Sequence, residues 1–244
     1  MTGVGGGSLM TPLLVFFFGI KPTIAVGTDL LYAAITKSGG ILAHHRNKSI
    51  DWKIVGLMAL GSVPASLISV YILKYLNTAG INHDRLVTYL LSVALILTSM
   101  VLLFKEQLKR IGSNNANATI RGLHQRFLKP VTVAVGALIG VLVTFSSVGA
   151  GALGAAFLLF LYPELKAITI VGTDLAHAVP ITAIAGLGHA HIGTVNYPLL
   201  ISLVIGSLPG IYLGSHMGKL LPDRIIRPIL ACMLFLIGIR MVAA

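Results

Sequence analysis

The chain has 244 residues, of which 56% are hydrophobic and only 10% are charged. A water-soluble domain carries about 25% charged residues, so the composition excludes an ordinary soluble fold and predicts a chain that is dissolved in lipid. The 18 Lys and Arg exceed the 7 Asp and Glu. Most basic residues lie in short segments between apolar runs, which is typical of membrane loops and argues against nucleic-acid binding.

Apolar runs follow one another along the chain. They cover residues 4–20, 24–43, 54–76, 86–104, 131–162, 167–187, 195–217 and 225–244. Since a membrane-spanning helix needs about 20 apolar residues, the runs predict an all-α polytopic membrane protein, although the first run is short. The polar stretch 105–129 is predicted to be a basic cytoplasmic linker between two transmembrane domains, residues 1–104 and 130–244. The basic loop 44–53 is expected on the same side.

Ordered motifs recur at a nearly constant offset and predict two homologous repeats of about four helical segments each. The matching pairs are residues 4–9 with 148–153, 25–30 with 170–175, and 61–64 with 206–209, at an offset of 144 and then 145. The second repeat has the apolar segment 131–145 ahead of its first motif, whereas the first repeat has only Met1–Gly3 there. A half-helix is therefore expected to be missing from the first repeat.

The run 131–162 is too long for one span and is interrupted by a glycine-containing segment at 146–151. It is either a long broken helix, giving eight spans in all, or a pair of half-helices that form a re-entrant hairpin. Eight spans divide the loop Lys and Arg ten to seven between the two sides, whereas re-entrant hairpins divide them thirteen to four. The positive-inside rule favours the second division. Each repeat then has an odd number of full spans, which predicts inverted repeats.

Glycine-rich motifs begin a helix in each repeat and are candidate anion-binding sites. The candidate residues are Gly5, Gly6, Gly7 and Ser8 in the first repeat, with Gly149 and Gly151 in the second. Helix amino ends present free N–H groups and partial positive charge, and glycine lets a ligand approach the backbone. Close helix packing through small residues is the alternative interpretation.

A Gly-Thr-Asp motif occurs in each repeat, at residues 27–29 and 172–174. A charged carboxylate inside a membrane helix costs about 2.5–3.5 kcal/mol, so such residues usually face a cavity or a partner. Asp29 and Asp174 are predicted to approach a shared interface and to carry the coupling proton or cation. Thr28 and Thr173 are predicted to assist substrate binding. The alternative is that both aspartates cap helix starts near the membrane surface.

Lys37 lies eight residues after Asp29 and has Thr182 at the matching position of the second repeat. Its ammonium group either binds an anion or extends to the membrane surface beside the basic loop. Interfacial positions are favoured for the histidines His44, His45, His177, His189 and His191, with metal transport as a minor hypothesis. The sequence shows no nucleophile–base arrangement and no cofactor motif, which argues against an enzyme. A long polar stripe that would indicate a channel is also absent.

The first half contains VGGGSLMTPLL, AVGTDLL, IDWK and GSVPAS, and the second half contains VGAGALGAAFLL, IVGTDLAHA, HIGTVNY and GSLPGIYLG. This ordered set resembles the TauE/SafE sulfite-exporter family of permeases over nearly the whole chain. The resemblance implies a secondary carrier of the bacterial inner membrane for sulfite, sulfonates or related sulfur-containing organic anions. The family often has serine after Gly-Thr, where this chain has Asp29 and Asp174.

Together these features predict a proton-coupled secondary transporter that moves a small anion by alternating access. Its expected partners are the anion, an ion gradient and the lipid bilayer, with no cofactor. A permease for metal cations or other small solutes is the alternative. The sequence leaves the substrate, the direction of transport and the formation of an oligomer open.

Overall fold

The structure is a computed structural model that describes residues 7–113, 118–217 and 223–243. These residues form helices joined by short connections. The helices are α1 (Gly7–Phe18), α2 (Pro22–Arg46), α3 (Trp52–Thr78), α4 (Asp84–Ser113), α5 (Ala118–Ser146), α6 (Ala152–Leu161), α7 (Ala167–Ile192), α8 (Tyr197–Met217) and α9 (Asp223–Ala243). The described part of the chain is therefore all-helical, as predicted.

Four of the described helices contain a stretch that is long and apolar enough to cross a membrane. These stretches are Trp52–Thr78, Asp84–Phe104, Phe127–Ser146 and Ala167–Ile192, and shorter apolar stretches lie in α1, α6, α8 and α9. Large apolar side chains remain exposed on the outer faces of the helices, including Phe17, Phe18 and Tyr71. Such a surface is suited to contact with lipid, so the fold is that of a multi-pass membrane protein.

The helices agree with one feature of the predicted runs and differ in another. The predicted interruption of the run 131–162 is present, since α5 ends at Ser146 and α6 begins at Ala152. The predicted linker 105–129 is largely helical, because α4 continues to Ser113 and α5 starts at Ala118. The linker sequence is rich in Lys, Arg, Gln and Leu, which favour helix, so both helices extend past their apolar parts.

The core lies between α2, α3, α5 and α7. Val26, Leu30, Met58, Ile139 and Ile181 are fully buried there. A second cluster joins α4 and α9 with α6. Since lipid is as apolar as these side chains, the helices are held together mainly by close packing and by hydrogen bonds between them.

Glycines allow α3 and α5 to pack at short range. A β-carbon built on Gly61 would overlap the carbonyl oxygen of Val133, and one built on Gly140 would overlap the backbone of Ser62. The contacting residue numbers rise together on the two helices, so α3 and α5 run parallel. Gly206 stands in the matching Gly-Ser-Leu-Pro motif of α8, and no atom of the described residues lies within 4 Å of a β-carbon built on it.

The helices α2 and α7 run antiparallel along the centre of the molecule. A β-carbon on Gly40 would contact Leu175, and one on Gly186 would contact Leu31. Residue numbers therefore rise on α2 as they fall on α7. This pairing fixes which residues of the two Gly-Thr-Asp helices lie side by side.

Candidate functional site

The Gly-Thr-Asp motif of each half contacts the loop that precedes a helix of the other half. Thr28 Oγ1 accepts a hydrogen bond from the backbone N–H of Asn196 at 3.0 Å, and Thr173 Oγ1 accepts one from Asp51 N–H at 3.0 Å. Thr28 also donates to the carbonyl oxygen of Ile24 at 2.7 Å. Both hydroxyls thus stabilise the starts of helices, at α8 and α3.

The glycines of the two motifs allow this close approach. A β-carbon built on Gly27 would overlap the carbonyl oxygen of Thr194, and one built on Gly172 would overlap that of Ser49. A glycine is required at both positions because a backbone atom occupies the place of the side chain. The same geometry therefore occurs twice, with the two halves exchanged.

Histidines end the two helices that carry the motifs. His44 Nδ1 lies 2.8 Å from Ser49 Oγ, and His189 Nδ1 lies 2.9 Å from Thr194 Oγ1. Each pair joins the end of one helix to the loop that follows it. No group of three or more His, Cys, Asp or Glu side chains that could hold a metal ion occurs in the described part of the chain.

Thr28→Val is expected to destabilise the protein, because it removes the acceptor of the Asn196 N–H at the start of α8. Loss of a hydrogen bond of this kind costs about 0.5–1.5 kcal/mol. Thr36→Val is the matched control, since the Thr36 hydroxyl donates only within its own helix, to Tyr32 and Ala33. Thermal unfolding of the detergent-purified variants measures the difference, and equal melting temperatures for the two variants would contradict the assignment.

The two aspartates are buried, each beside the short helix of its own half. Asp29 Oδ2 accepts a hydrogen bond from Thr11 Oγ1 of α1 at 2.6 Å. The Asp174 carboxylate lies so close to Gly154 of α6 that a β-carbon there would overlap it. Because both residues are buried in the interior, they do not act as surface helix caps in this structure.

The carboxylates lie at two different levels rather than at one shared point. Each aspartate comes seven residues after the first residue of its helix, and the two helices are antiparallel. The contact between Gly40 and Leu175 puts Asp174 near the level of Gly40 on α2. With 1.5 Å of rise per residue, Asp29 and Asp174 are separated by about 17 Å along the helix axis.

Lys37 lies between the levels of the two carboxylates. Its Nζ donates a hydrogen bond to the carbonyl oxygen of Ala150 at 2.9 Å. The ammonium group also interacts electrostatically with Asp174 and, more weakly, with Asp29. The Lys37 side chain is thus directed to the interruption between α5 and α6, and its charge offsets part of the negative charge of the aspartates.

The interruption between α5 and α6 has backbone conformations that favour glycine. Gly149 and Gly151 have φ values of +118° and +132°, and Ser147 has a φ of +57°. Gly151 precedes α6 without a side-chain cap, and the N–H groups of Gly154 and Ala155 donate to the carbonyl oxygens of Gly149 and Gly151, both at 3.1 Å. The Ser147 hydroxyl is buried beside the Asp29 carboxylate. Strained residues of this kind cluster at functional sites.

The structure brings together some of the predicted site residues and separates others. Those around the interruption are Lys37, Gly149, Gly151, Asp29 and Asp174. The hydroxyls of Thr28 and Thr173 bind backbone groups at helix starts instead. Gly5 and Gly6 lie outside the described residues, and Gly7 and Ser8 fall in the first turn of α1.

Sequence reasoning missed Thr11 and Ser147, the two hydroxyl residues closest to Asp29. Both residues could have been found as hydroxyl residues that lie a few positions from a glycine-rich motif. Ala150 contributes only its backbone carbonyl, so its residue type could not have indicated its role.

Buried carboxylates, a lysine and an interrupted helix inside an apolar bundle are typical of membrane transporters. Residues 1–241 match the family described as sulfite exporter TauE/SafE. The chain belongs to this family, which confirms the resemblance found in its motifs.

The relatives of this chain carry names of transporters and not of enzymes. The probable membrane transporter protein YjnA of Bacillus subtilis (strain 168) is 35% identical over 242 residues, which cover 99% of this chain and 93% of that protein. YunE of the same organism is 27% identical, with 99% and 91% covered. MJ0441 of Methanocaldococcus jannaschii is 24% identical, with 98% and 88% covered. No solved structure matches the chain.

Proposed function

We propose that this protein is a secondary transporter that moves a small anion together with a proton. The observation that carries the proposal is the Lys37 ammonium, bound to the Ala150 carbonyl at the helix interruption and placed between two buried carboxylates. Sulfite is the substrate that the family description names, and a small sulfonate is proposed as a chemically related alternative. The bacterial inner membrane is the proposed location.

The charges of the site favour coupled movement. Asp29, Asp174 and Lys37 sum to one negative charge when all three are ionised. A monovalent anion would raise this to two negative charges in a region of low dielectric constant, which is strongly unfavourable. One proton on either carboxylate removes the added charge. An anion and a proton that bind together therefore leave the net charge of the site unchanged.

The anion is proposed to bind where Lys37 now contacts the backbone. The ammonium group would exchange the Ala150 carbonyl for an oxygen of the substrate, a stronger charge-assisted hydrogen bond. The uncapped amino end of α6 and the Ser147 hydroxyl lie at the same interruption. Helix amino ends are suited to anions because their N–H groups are free and partially positive.

The proposed framework is a pair of inverted repeats with a re-entrant hairpin in the second. Tyr162 Oη, just after α6, lies 2.9 Å from Thr132 Oγ1 in the first part of the apolar stretch of α5. This contact supports a hairpin in which α6 returns toward the side from which α5 enters. The reciprocal threonine contacts support the inversion. The loops 44–53 and 105–129 would then be cytoplasmic.

Flux of radiolabelled sulfite or methanesulfonate into proteoliposomes tests the proposal. A pH gradient, acidic on the anion side, should stimulate uptake by the wild type about tenfold or more, since one pH unit is worth about 1.4 kcal/mol. Asp29→Asn and Asp174→Asn should lose this stimulation. Uptake that is unchanged in both variants would contradict the coupling role.

Asp51→Asn is the matched control for these variants. Asp51 caps α3 through its side-chain oxygen, which accepts hydrogen bonds from Lys53 N–H and Ile54 N–H. Asparagine keeps such an acceptor, and the residue lies in a loop outside the interior site. This variant should therefore retain the response to the pH gradient.

A further inference from the structure

His177 is a buried histidine with one ring nitrogen unused. It is 1% exposed, and its Nε2 lies 2.8 Å from Ser62 Oγ of α3. Its Nδ1 has no hydrogen-bond partner among the described residues. An unsatisfied buried polar atom costs about 1–3 kcal/mol, so its presence calls for a role beyond packing.

His189 provides a direct comparison on the same helix. It is also fully buried, but both of its ring nitrogens have partners. Nδ1 lies 2.9 Å from Thr194 Oγ1, and Nε2 lies 3.0 Å from the carbonyl oxygen of Thr144. His189 is thus fully engaged in holding α7, α5 and the following loop together, whereas His177 keeps a nitrogen available to take up a proton.

The position of His177 relates it to the candidate coupling site. It lies three residues after Asp174 on α7, and residues at this spacing lie on the same helix face, about one turn apart. Asp174 is the nearest charged residue to His177 along α7, and it interacts electrostatically with Lys37 of α2. From α3 the facing group is the neutral Ser62. The sequences of α6 and of residues 130–146 of α5 contain no charged or histidine side chain.

We infer that His177 is a proton-binding residue that exchanges the transported proton with Asp174. The proton moves from a carboxyl oxygen of Asp174 to Nδ1 of His177, directly or through one water molecule, leaving a carboxylate beside an imidazolium. The reverse transfer restores both neutral groups. This assignment rests on the proposed anion–proton transport and adds a second proton carrier to it. The matching residue of the first half is Tyr32, so the exchange occurs only in the second half.

Measuring both exchange and net uptake distinguishes a role of His177 in proton transfer from a purely structural role. Exchange of labelled for unlabelled sulfite at equal pH needs no release of the proton, whereas net uptake driven by a pH gradient does. His177→Gln should lower net uptake about 100-fold, the scale of lost acid–base assistance, while exchange per folded protein stays within about twofold of the wild type. Equal loss of exchange and net uptake in His177→Gln would overturn the inference.

His189→Gln is the matched control, because it also removes a buried histidine from α7. It is expected to reduce the amount of folded protein and to leave the ratio of net uptake to exchange within about twofold of the wild type, since it removes hydrogen bonds but no proton carrier. A ratio that falls as far as in His177→Gln would show a general effect of losing a histidine, and would also overturn the inference.

Ser62→Ala gives a second test that keeps the imidazole in place. Removing a hydrogen bond worth about 1 kcal/mol should shift the pH midpoint of net uptake by about half a unit or more if His177 carries the proton. An unchanged midpoint would contradict the assignment. Wild-type vesicles that show neither exchange nor uptake of sulfite would instead overturn the proposed function, and the inference with it.

Discussion

Replacing Lys37 by methionine is expected to abolish anion transport. The Lys37 ammonium is the positive charge that interacts with both Asp29 and Asp174, and it contacts the backbone at Ala150. Methionine keeps the apolar length of the side chain and removes the charge. Without this ammonium group, Asp29, Asp174 and a bound monovalent anion would sum to three negative charges in the apolar interior, so uptake of labelled sulfite should fall by about two to three orders of magnitude.

Two further variants separate binding from stability. Lys37→Met combined with Asp174→Asn removes one charge of each sign, which should restore much of the folded protein without restoring uptake. Lys53→Met is the control for loss of a lysine, since Lys53 is exposed at the start of α3 and should be dispensable. Uptake at the wild-type rate by Lys37→Met would rule out the proposed anion site.

Gly61→Ala is expected to destabilise the packing of α3 against α5. The added β-carbon would overlap the carbonyl oxygen of Val133, so α3 and α5 would have to separate along their whole contact. Overpacking of this kind costs about 1–3 kcal/mol or more, because backbone atoms cannot rotate away as a side chain can. The expected result is a large drop in melting temperature and in the yield of folded protein.

Gly206→Ala is a control that the chain itself supplies. Gly206 begins the same Gly-Ser-X-Pro motif in the second half, yet within the described part of the chain no atom lies within 4 Å of a β-carbon built on it. Alanine also favours a helix over glycine by about 1 kcal/mol, so this variant should be neutral or slightly stabilised. Equal destabilisation of the two variants would contradict the observed packing of α3 against α5.

The sequence was sufficient to predict the helical segments and the site of the interruption. Apolar length marks the helices, and Gly149 and Gly151 mark the segment where positive φ values occur. The linker 105–129 was misleading, since its polarity predicts solvent exposure but does not exclude helix. The polarity of a segment predicts whether it is exposed to solvent. Its helix propensity predicts whether its backbone is helical.

The separation of Asp29 from Asp174 could not be predicted from their matching positions. In two antiparallel helices, matching motifs lie side by side only if they are near the centre of each helix. Asp29 and Asp174 lie near the starts of α2 and α7 and are therefore far apart. The position of Lys37 depends on the same pairing of α2 with α7. Lys37 lies between the contact of Gly40 with Leu175 and the contact of Leu31 with Gly186, and therefore between the levels of the two carboxylates.

The hydrogen-bonding role of Thr28 and Thr173 was not predicted because their partners are backbone groups distant in sequence. The donors are the backbone N–H groups of Asn196 and Asp51, and the identity of a residue does not show where its backbone N–H donates. The contact of His177 with Ser62 could not be predicted for a related reason. It depends on how far α7 is displaced along its axis relative to α3, and local sequence patterns do not determine this displacement.

The reciprocal threonine contacts have a consequence for how this architecture arose. The backbone N–H at the start of α3 is bound by a threonine of the second half, and the one at the start of α8 by a threonine of the first half. Each half alone would lack one of these hydrogen bonds. Under the proposed inversion, a half-length ancestor would have had to insert into the membrane in both orientations and assemble with its own inverted copy. Such a homodimer would carry either two lysines at position 37 or none. Under the proposed inversion, a single ammonium group at position 37 therefore requires that the two halves are no longer identical.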